Sequence, residues 1–198
     1  MKNILIINAH QKWDGMSAGK LNKFFQDKLT SYFEERNFLV KTTKIEDGYD
    51  INQEVDKHDW ADLVITQTPV FWFNTPWIHK KYIDEVFTAA LMQQKIVLTD
   101  GRLLEDRSKQ YGTGGISQGK KYMISTTWNA PEEAFDNPSQ VLFEGKSADE
   151  ALLNLSANYK FCGFEILEGF HSYNVIKDPQ IEKDLIRLTK HLDVLINK

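Results

Sequence analysis

Apolar runs of strand length alternate along this chain with amphipathic runs of helical length, the pattern of βα units wound about a parallel sheet. Ile4-Leu5-Ile6-Ile7 is apolar at every position, as a strand buried on both faces requires. After a polar, Gly-containing segment at 8–19, the residues Leu21, Phe24, Phe25, Leu29, Tyr32 and Phe33 recur at three- and four-residue steps and predict a helix ending near Asn37. Residues 38–43 read as a more polar strand at a sheet edge, 47–50 as a loop, and Leu63-Val64-Ile65 as a short buried third strand. Pro76 suits the first turn of a helix whose inward face carries Ile78, Tyr82, Ile83, Val86 and Phe87. Residues 122–127 predict a fourth strand, and Ala148, Ala151, Leu152, Leu155 and Tyr159 a helix. Residues 164–167, continuing to His171, predict a fifth strand, and Ile181, Leu185, Leu188, Leu192 and Leu195 the closing helix. Residues 91–119 are glycine-rich; 95–98 could pair as a minor strand, and the rest reads as a long loop of functional or mobile kind. Right-handed crossovers then give an α/β, doubly wound, five-stranded parallel sheet in the order 2-1-3-4-5 with helices on both faces, a single domain over 1–198.

Composition narrows the partners. With 24 Lys and Arg against 28 Asp and Glu, and no basic stripe, the chain is a poor match for a nucleic-acid surface. Its one cysteine, Cys162, leaves no internal disulfide and reads as a packing residue. Neither a signal peptide nor a membrane span is visible, so the cytoplasm is the expected location. The 12 Phe, 7 Tyr and 5 Trp exceed what a core alone explains, because several fall in non-periodic segments.

In the order 2-1-3-4-5 a ligand belongs beyond the carboxyl ends of strands one, three and four. That names three loops, at 8–19, 69–76 and 126–131. The first carries Ser17 and Gly19 to a helix N-terminus, where backbone N–H groups and the helix dipole favour a phosphate, although a plain helix cap is the commoner role for a residue such as Ser17. The second, Pro69-Val70-Phe71-Trp72-Phe73-Asn74-Thr75-Pro76, holds three consecutive aromatics that cannot all face one core. A flat ring system and a subunit interface are equally good partners for them. The third, Thr127-Trp128-Asn129-Ala130-Pro131, adds an indole and polar groups. Together the loops imply an aromatic, phosphorylated cofactor. Gly114 to Lys120 spells a P-loop skeleton, but Lys121 replaces the Mg²⁺-binding hydroxyl and the run precedes a strand instead of following one. The run 112–115 fails the dinucleotide fingerprint. His10, His58, His79, His171 and His191 lack metal-ligand spacing, and His79 beside Lys80 and Lys81 reads as a surface residue.

Several segments carry a family resemblance: Asn3 to Asn8, Trp60-Ala61-Asp62, Pro76-Trp77, Lys80-Lys81-Tyr82-Ile83-Asp84, Tyr111-Gly112, Gly114-Gly115, Lys120-Lys121-Tyr122-Met123 and the Thr-Trp-Asn-Ala-Pro loop. With them the chain resembles, over nearly its whole length, the modulator-of-drug-activity-B group of NAD(P)H:quinone oxidoreductases in the flavodoxin-like superfamily. The resemblance implies a homodimeric, FAD-dependent, two-electron quinone reductase with NAD(P)H as co-substrate; because no separate nicotinamide site is evident, both substrates are expected to take turns at one face in ping-pong turnover. It would place FAD phosphates on Ser17, Gly19, Leu21 and Asn22, and the flavin ring against Pro69, Phe71, Trp72, Phe73, Thr127, Trp128, Asn129 and Ala130. His10 and Val70 complete the cofactor set. Tyr111 would approach the flavin or quinone as the one catalytic candidate, with a packing role in its Gly-rich loop as the alternative. An FMN-binding electron carrier and a non-catalytic nucleotide-binding regulator are the rival readings.

Overall fold

The structure is a computed structural model and describes residues 1–196. Strands β1 (Asn3–Asn8), β2 (Leu39–Lys44), β3 (Leu63–Pro69), β4 (Lys121–Thr127), β5 (Glu165–Ile166) and β6 (Phe170–Ser172) form one sheet in the order β2-β1-β3-β4-β5, with β6 also paired to β4. Every pairing is parallel. The expected order therefore holds. Helices α1 (Lys20–Glu34) and α6 (Ile181–Ile196) cover one face, burying Phe25, Leu29, Phe33, Leu188 and Leu192 against Ile4, Ile6, Ile65 and Met123. Helices α2 (Ile51–Trp60), α3 (Trp77–Met92), α4 (Ala148–Ala151) and α5 (Leu153–Phe161) cover the other, with Val55, Tyr82, Val86 and Tyr159 against Leu5, Ile7, Val64 and Tyr122. Alternation along β1 sends Ile4 and Ile6 to one core and Leu5 and Ile7 to the other, as an interior parallel strand should.

Four expectations need correction. The segment before β3 is not only loop: α2 occupies it, capped by Asp50, whose carboxylate accepts from Gln53 N at 2.9 Å. The fifth strand is interrupted, because Gly169 packs its backbone against Asp149 and His171 and donates its N–H to Asp149 Oδ2 at 2.9 Å. The 148–159 helix is divided at Leu152 into α4 and α5. Residues 95–98 do not enter the sheet; Val97 forms an isolated antiparallel bridge with Gly115.

Candidate active site

Strands β1, β3 and β4 end side by side at Asn8, Pro69 and Thr127, so the loops that follow leave from one edge of the sheet. Backbone bonds tie their roots together: Ala9 N to Gln67 O at 3.0 Å, Val70 N to Thr127 O at 3.0 Å, and Trp128 N to Ser172 O at 2.8 Å.

The first loop forms a small hairpin at 13–17, closed by reciprocal Trp13 and Ser17 backbone bonds of 2.9 Å. Its chain enters α1 through Gly19, at φ 74°, without a side-chain cap. Ser17 is therefore not the cap; its Oγ lies 3.0 Å from His10 Nε2. The first-turn amides of α1 are left for a ligand or water, in contrast to the side-chain caps of α2 and α4. A Cβ on Gly19 would stand 2.6 Å from His10 Nδ1, so both space and backbone angle require glycine there. His10 is buried, and burial lowers its pKa more than the carboxylate of Glu46 raises it. The ring is thus neutral at pH 7, and its 4.0 Å approach to Glu46 is not an ion pair. Leu21 packs into the core, while Asn22 points beneath the loop, so these two would meet a phosphate through backbone rather than side chain.

The second loop is a tight turn at 71–74, in which Phe71 N and Asn74 O lie 2.7 Å apart and Asn74 N and Phe71 O 3.1 Å. Its central residues Trp72 and Phe73 have φ of 48° and 64°. Two successive left-handed residues make a turn of the I′ kind, normally the place of Asn-Gly; two large aromatics there carry backbone strain. Trp72 is 93% exposed and Phe73 49%, whereas Phe71 is half-buried with its ring 6.3 Å from that of His10. The third loop divides. Asn129 is exposed, and Trp128 is buried against Phe135 and Phe143, its ring centroids 4.9 and 6.0 Å from theirs. Gln11 Oε1 on the first loop and Trp128 Nε1 on the third are buried with no hydrogen-bond partner among the described residues.

A chain of buried amides under these loops was not anticipated. Gln26 Oε1 accepts from Asn8 Nδ2 at 2.8 Å, Asn8 Oδ1 from Asn22 Nδ2 at 2.7 Å, Asn22 Oδ1 from Gln67 Nε2 at 3.0 Å, and Gln67 Oε1 from Ser125 Oγ at 2.7 Å. Asn8 Oδ1 also accepts from His10 N at 3.0 Å, so the ladder fixes the start of the first loop to β4. Its sequence signal is the appearance of Asn8, Gln67 and Ser125 toward the carboxyl ends of the strands, after the apolar runs at 4–7, 63–65 and 122–124. On the opposite face His171 links Asp149 Oδ1, 3.1 Å from Nε2, to Thr126 Oγ1, 2.7 Å from Nδ1.

Tyr111 is not brought to this edge. Helix α3 starts beside the site and runs to the far end of the strands, where the chain 93–120 stays. There Ser117 N donates to Cys162 O at 3.0 Å, Lys120 Nζ reaches the carbonyl of Asp59, and the Tyr111 ring rests 5.3 Å from that of Phe161. The stretch 101–119 therefore does not line the crevice of its own chain. His79, expected at the surface, is buried with its ring over Tyr82 and Nδ1 3.1 Å from Thr75 Oγ1. Cys162 is buried as expected, and burial pushes its thiol pKa up to about 12.

A family model described as the flavodoxin-like fold matches residues 2–192, the span that contains every strand and all three loops. The chain belongs to the flavodoxin-like fold family. Among flavodoxin-like relatives, it is 39% identical to the NADPH:quinone oxidoreductase MdaB of Haemophilus influenzae over 96% of this chain and 97% of that protein. It is 28% identical to the NAD(P)H dehydrogenase [quinone] 1 of Cavia porcellus, over 66% of this chain and 42% of that one. In solved structures the flavodoxin-like architecture recurs in general stress protein 14 of Treponema denticola in complex with FMN. There the TM-score is 0.65, at 19% identity over 100% of this chain and 99% of that one. Among the described residues no helix is long and apolar enough to cross a membrane.

Proposed function

We propose that this protein is an FAD-dependent NAD(P)H:quinone oxidoreductase that works as a homodimer in the cytoplasm, with residues 1–198 as one domain. The observation that carries the reading is the meeting, at one sheet edge, of uncapped α1 amides with the strained aromatic turn at 71–74. The near full-length relation to the Haemophilus influenzae quinone oxidoreductase supports it. The α1 amides and the hydroxyl of Ser17 would hold a phosphate, while Pro69, Val70, Phe71, Trp72 and Phe73 and the backbone of Thr127, Trp128, Asn129 and Ala130 would flank a flat ring system. The unpartnered Trp128 Nε1 and Gln11 Oε1 fit a polar ligand at this edge. A bound flavin supplies hydride transfer from reduced nicotinamide to quinone. The chain's own task is to orient ring and substrate and keep water from the exposed face. With one aromatic face available, nicotinamide and quinone take turns on it.

Tyr111 has a role in this chemistry only if it comes from a second copy, since its own chain holds it at the other end of the sheet. A twofold dimer that lays the 99–114 excursion of one subunit over the crevice of the other meets that need, with the Tyr111 hydroxyl as hydrogen-bond donor to the quinone oxygen. The deciding experiment is an absorption spectrum of the purified protein, chromatography of the cofactor released by heat, and steady-state turnover with NADPH and a benzoquinone. FAD and parallel double-reciprocal plots are expected. Released FMN would overturn the FAD half, and a colourless protein the whole reading.

A further inference from the structure

Residues 99–114 leave the body of the molecule through a pinched neck. Gly114 lies directly against the Thr99 carbonyl, where no side chain fits, and Gly112 N donates to Asp100 O at 2.7 Å. Beyond the neck the chain folds back on itself around two adjoining concavities of about 500 Å³ each, with Leu103 and Lys109 on the wall they share. Hydroxyl and amide groups of Ser108, Gln110 and Thr113 line one, and Asp100, Arg102 and Arg107 line the other. A nucleotide half fits this scale of volume.

The charges in the excursion are not equivalent. Asp100 is taken by Arg102, through Nε at 3.1 Å and an Nη at 2.6 Å, and Asp106 accepts from Ser108 N at 3.0 Å and Oγ at 2.6 Å. Arg107 and Lys109 have no side-chain partner among the described residues, and Glu105 lines neither concavity. The lining thus keeps two uncommitted cations. Beside them the Arg102 guanidinium lies 5.3 Å from the centroid of the exposed Tyr111 ring, a plane on which a nucleobase can stack. Two free cations next to a stacking plane match a phosphomonoester attached to a nucleoside, whose charge near −2 exceeds that of a phosphodiester.

We infer that the 99–114 excursion binds the ribose 2′-phosphate of a reduced nicotinamide nucleotide through Arg107 and Lys109, and so makes the protein prefer NADPH to NADH. The inference rests on the reductase reading above and on its twofold dimer, in which the excursion of one subunit faces the flavin edge of the other, and it names the residues that choose the electron donor.

The test uses the flavin-loaded protein and the double variant Arg107→Gln, Lys109→Gln, with circular dichroism and flavin occupancy confirming that both are folded. In steady-state assays the KM for NADPH should rise roughly tenfold or more in the double variant, the loss of two hydrogen bonds to a charged group, while kcat and the KM for NADH stay put. Calorimetry supplies a readout independent of turnover. Adenosine 2′,5′-bisphosphate should bind the unaltered protein at least about tenfold more tightly than AMP or inorganic phosphate, with the advantage gone in the double variant. Equal affinity for the bisphosphate and AMP, or inorganic phosphate binding as tightly as the bisphosphate, would overturn the inference. So would an unchanged NADPH preference in the double variant. A protein that oxidises neither nucleotide yet keeps the calorimetric contrast would sink the reductase reading and leave the phosphate site standing.

Discussion

Gly19 and Phe73 show how single residues set this site, and in opposite senses. Gly19 holds a left-handed angle with His10 packed where its Cβ would be, so Gly19→Ala should cost the apoprotein about 1–2 kcal/mol and displace the loop that carries Ser17. Urea titration of the apoprotein beside flavin occupancy after dialysis measures both; unchanged values for the two would remove the loop from the phosphate site. Phe73 also sits in the left-handed region, but there glycine is the better residue. Phe73→Gly should therefore stabilise the protein by up to about 1 kcal/mol while lowering quinone turnover. A rise in Tm with undiminished kcat/KM would mean that the strained aromatic turn serves no catalytic end.

At the scale of elements, α2 and α3 are joined through two buried histidines. His58 places Nδ1 2.8 Å from Glu54 O and Nε2 3.3 Å from Tyr159 OH, and His79 lies over the other neighbour, Tyr82. Burial pushes both rings down to about 4 from the ordinary 6.5. Unfolded, each takes up a proton near pH 6.5; folded, only near pH 4, so acid favours the unfolded chain. Their contribution is complete above pH 6.5 and falls away as the pH drops from 6.5 toward 4, by up to roughly 3 kcal/mol for each ring. Urea midpoints at pH 7.5 and 5.0 should lie closer together in His79→Gln, where only the His58 share remains, than in the unaltered protein; equal differences would show that His79 is already protonated or exposed. The same pair explains what the sequence hid. α2 turns Glu54, Val55 and His58 inward, and Glu54 is satisfied by Tyr82 OH at 2.7 Å, Thr43 Oγ1 at 2.8 Å and Lys57 Nζ at 2.6 Å. A helix that buries polar groups against polar partners leaves no apolar period to read. The runs at 4–7, 63–65 and 122–124 were legible because strands buried on both faces show unbroken apolar stretches, and their order followed from right-handed crossovers. The site was legible in part. Its loops follow from strand order, whereas the amide ladder from Gln26 to Ser125 joins residues up to 58 positions apart in a single bond, and only packing brings these together.

For the molecule as a whole, the far-end position of Tyr111 makes assembly a question of chemistry. Dilution below the dimer dissociation constant should lower activity per subunit, and sedimentation velocity run beside turnover across one concentration range will show it. A fully active monomer would exclude Tyr111 from the reaction. Exposed Trp72 at one end and exposed Leu103 and Leu104 at the other give such a contact two different apolar surfaces to join. The neck at Thr99 and Gly114 carries this further. Because the two backbones already touch there, residues 100–113 could be exchanged for a two-residue link with the sheet intact, and the shorter loop would return roughly 1–2 kcal/mol of closure entropy. The excursion is in that sense a detachable module, one that could be cut away at its neck while the sheet edge carrying the three loops kept its shape.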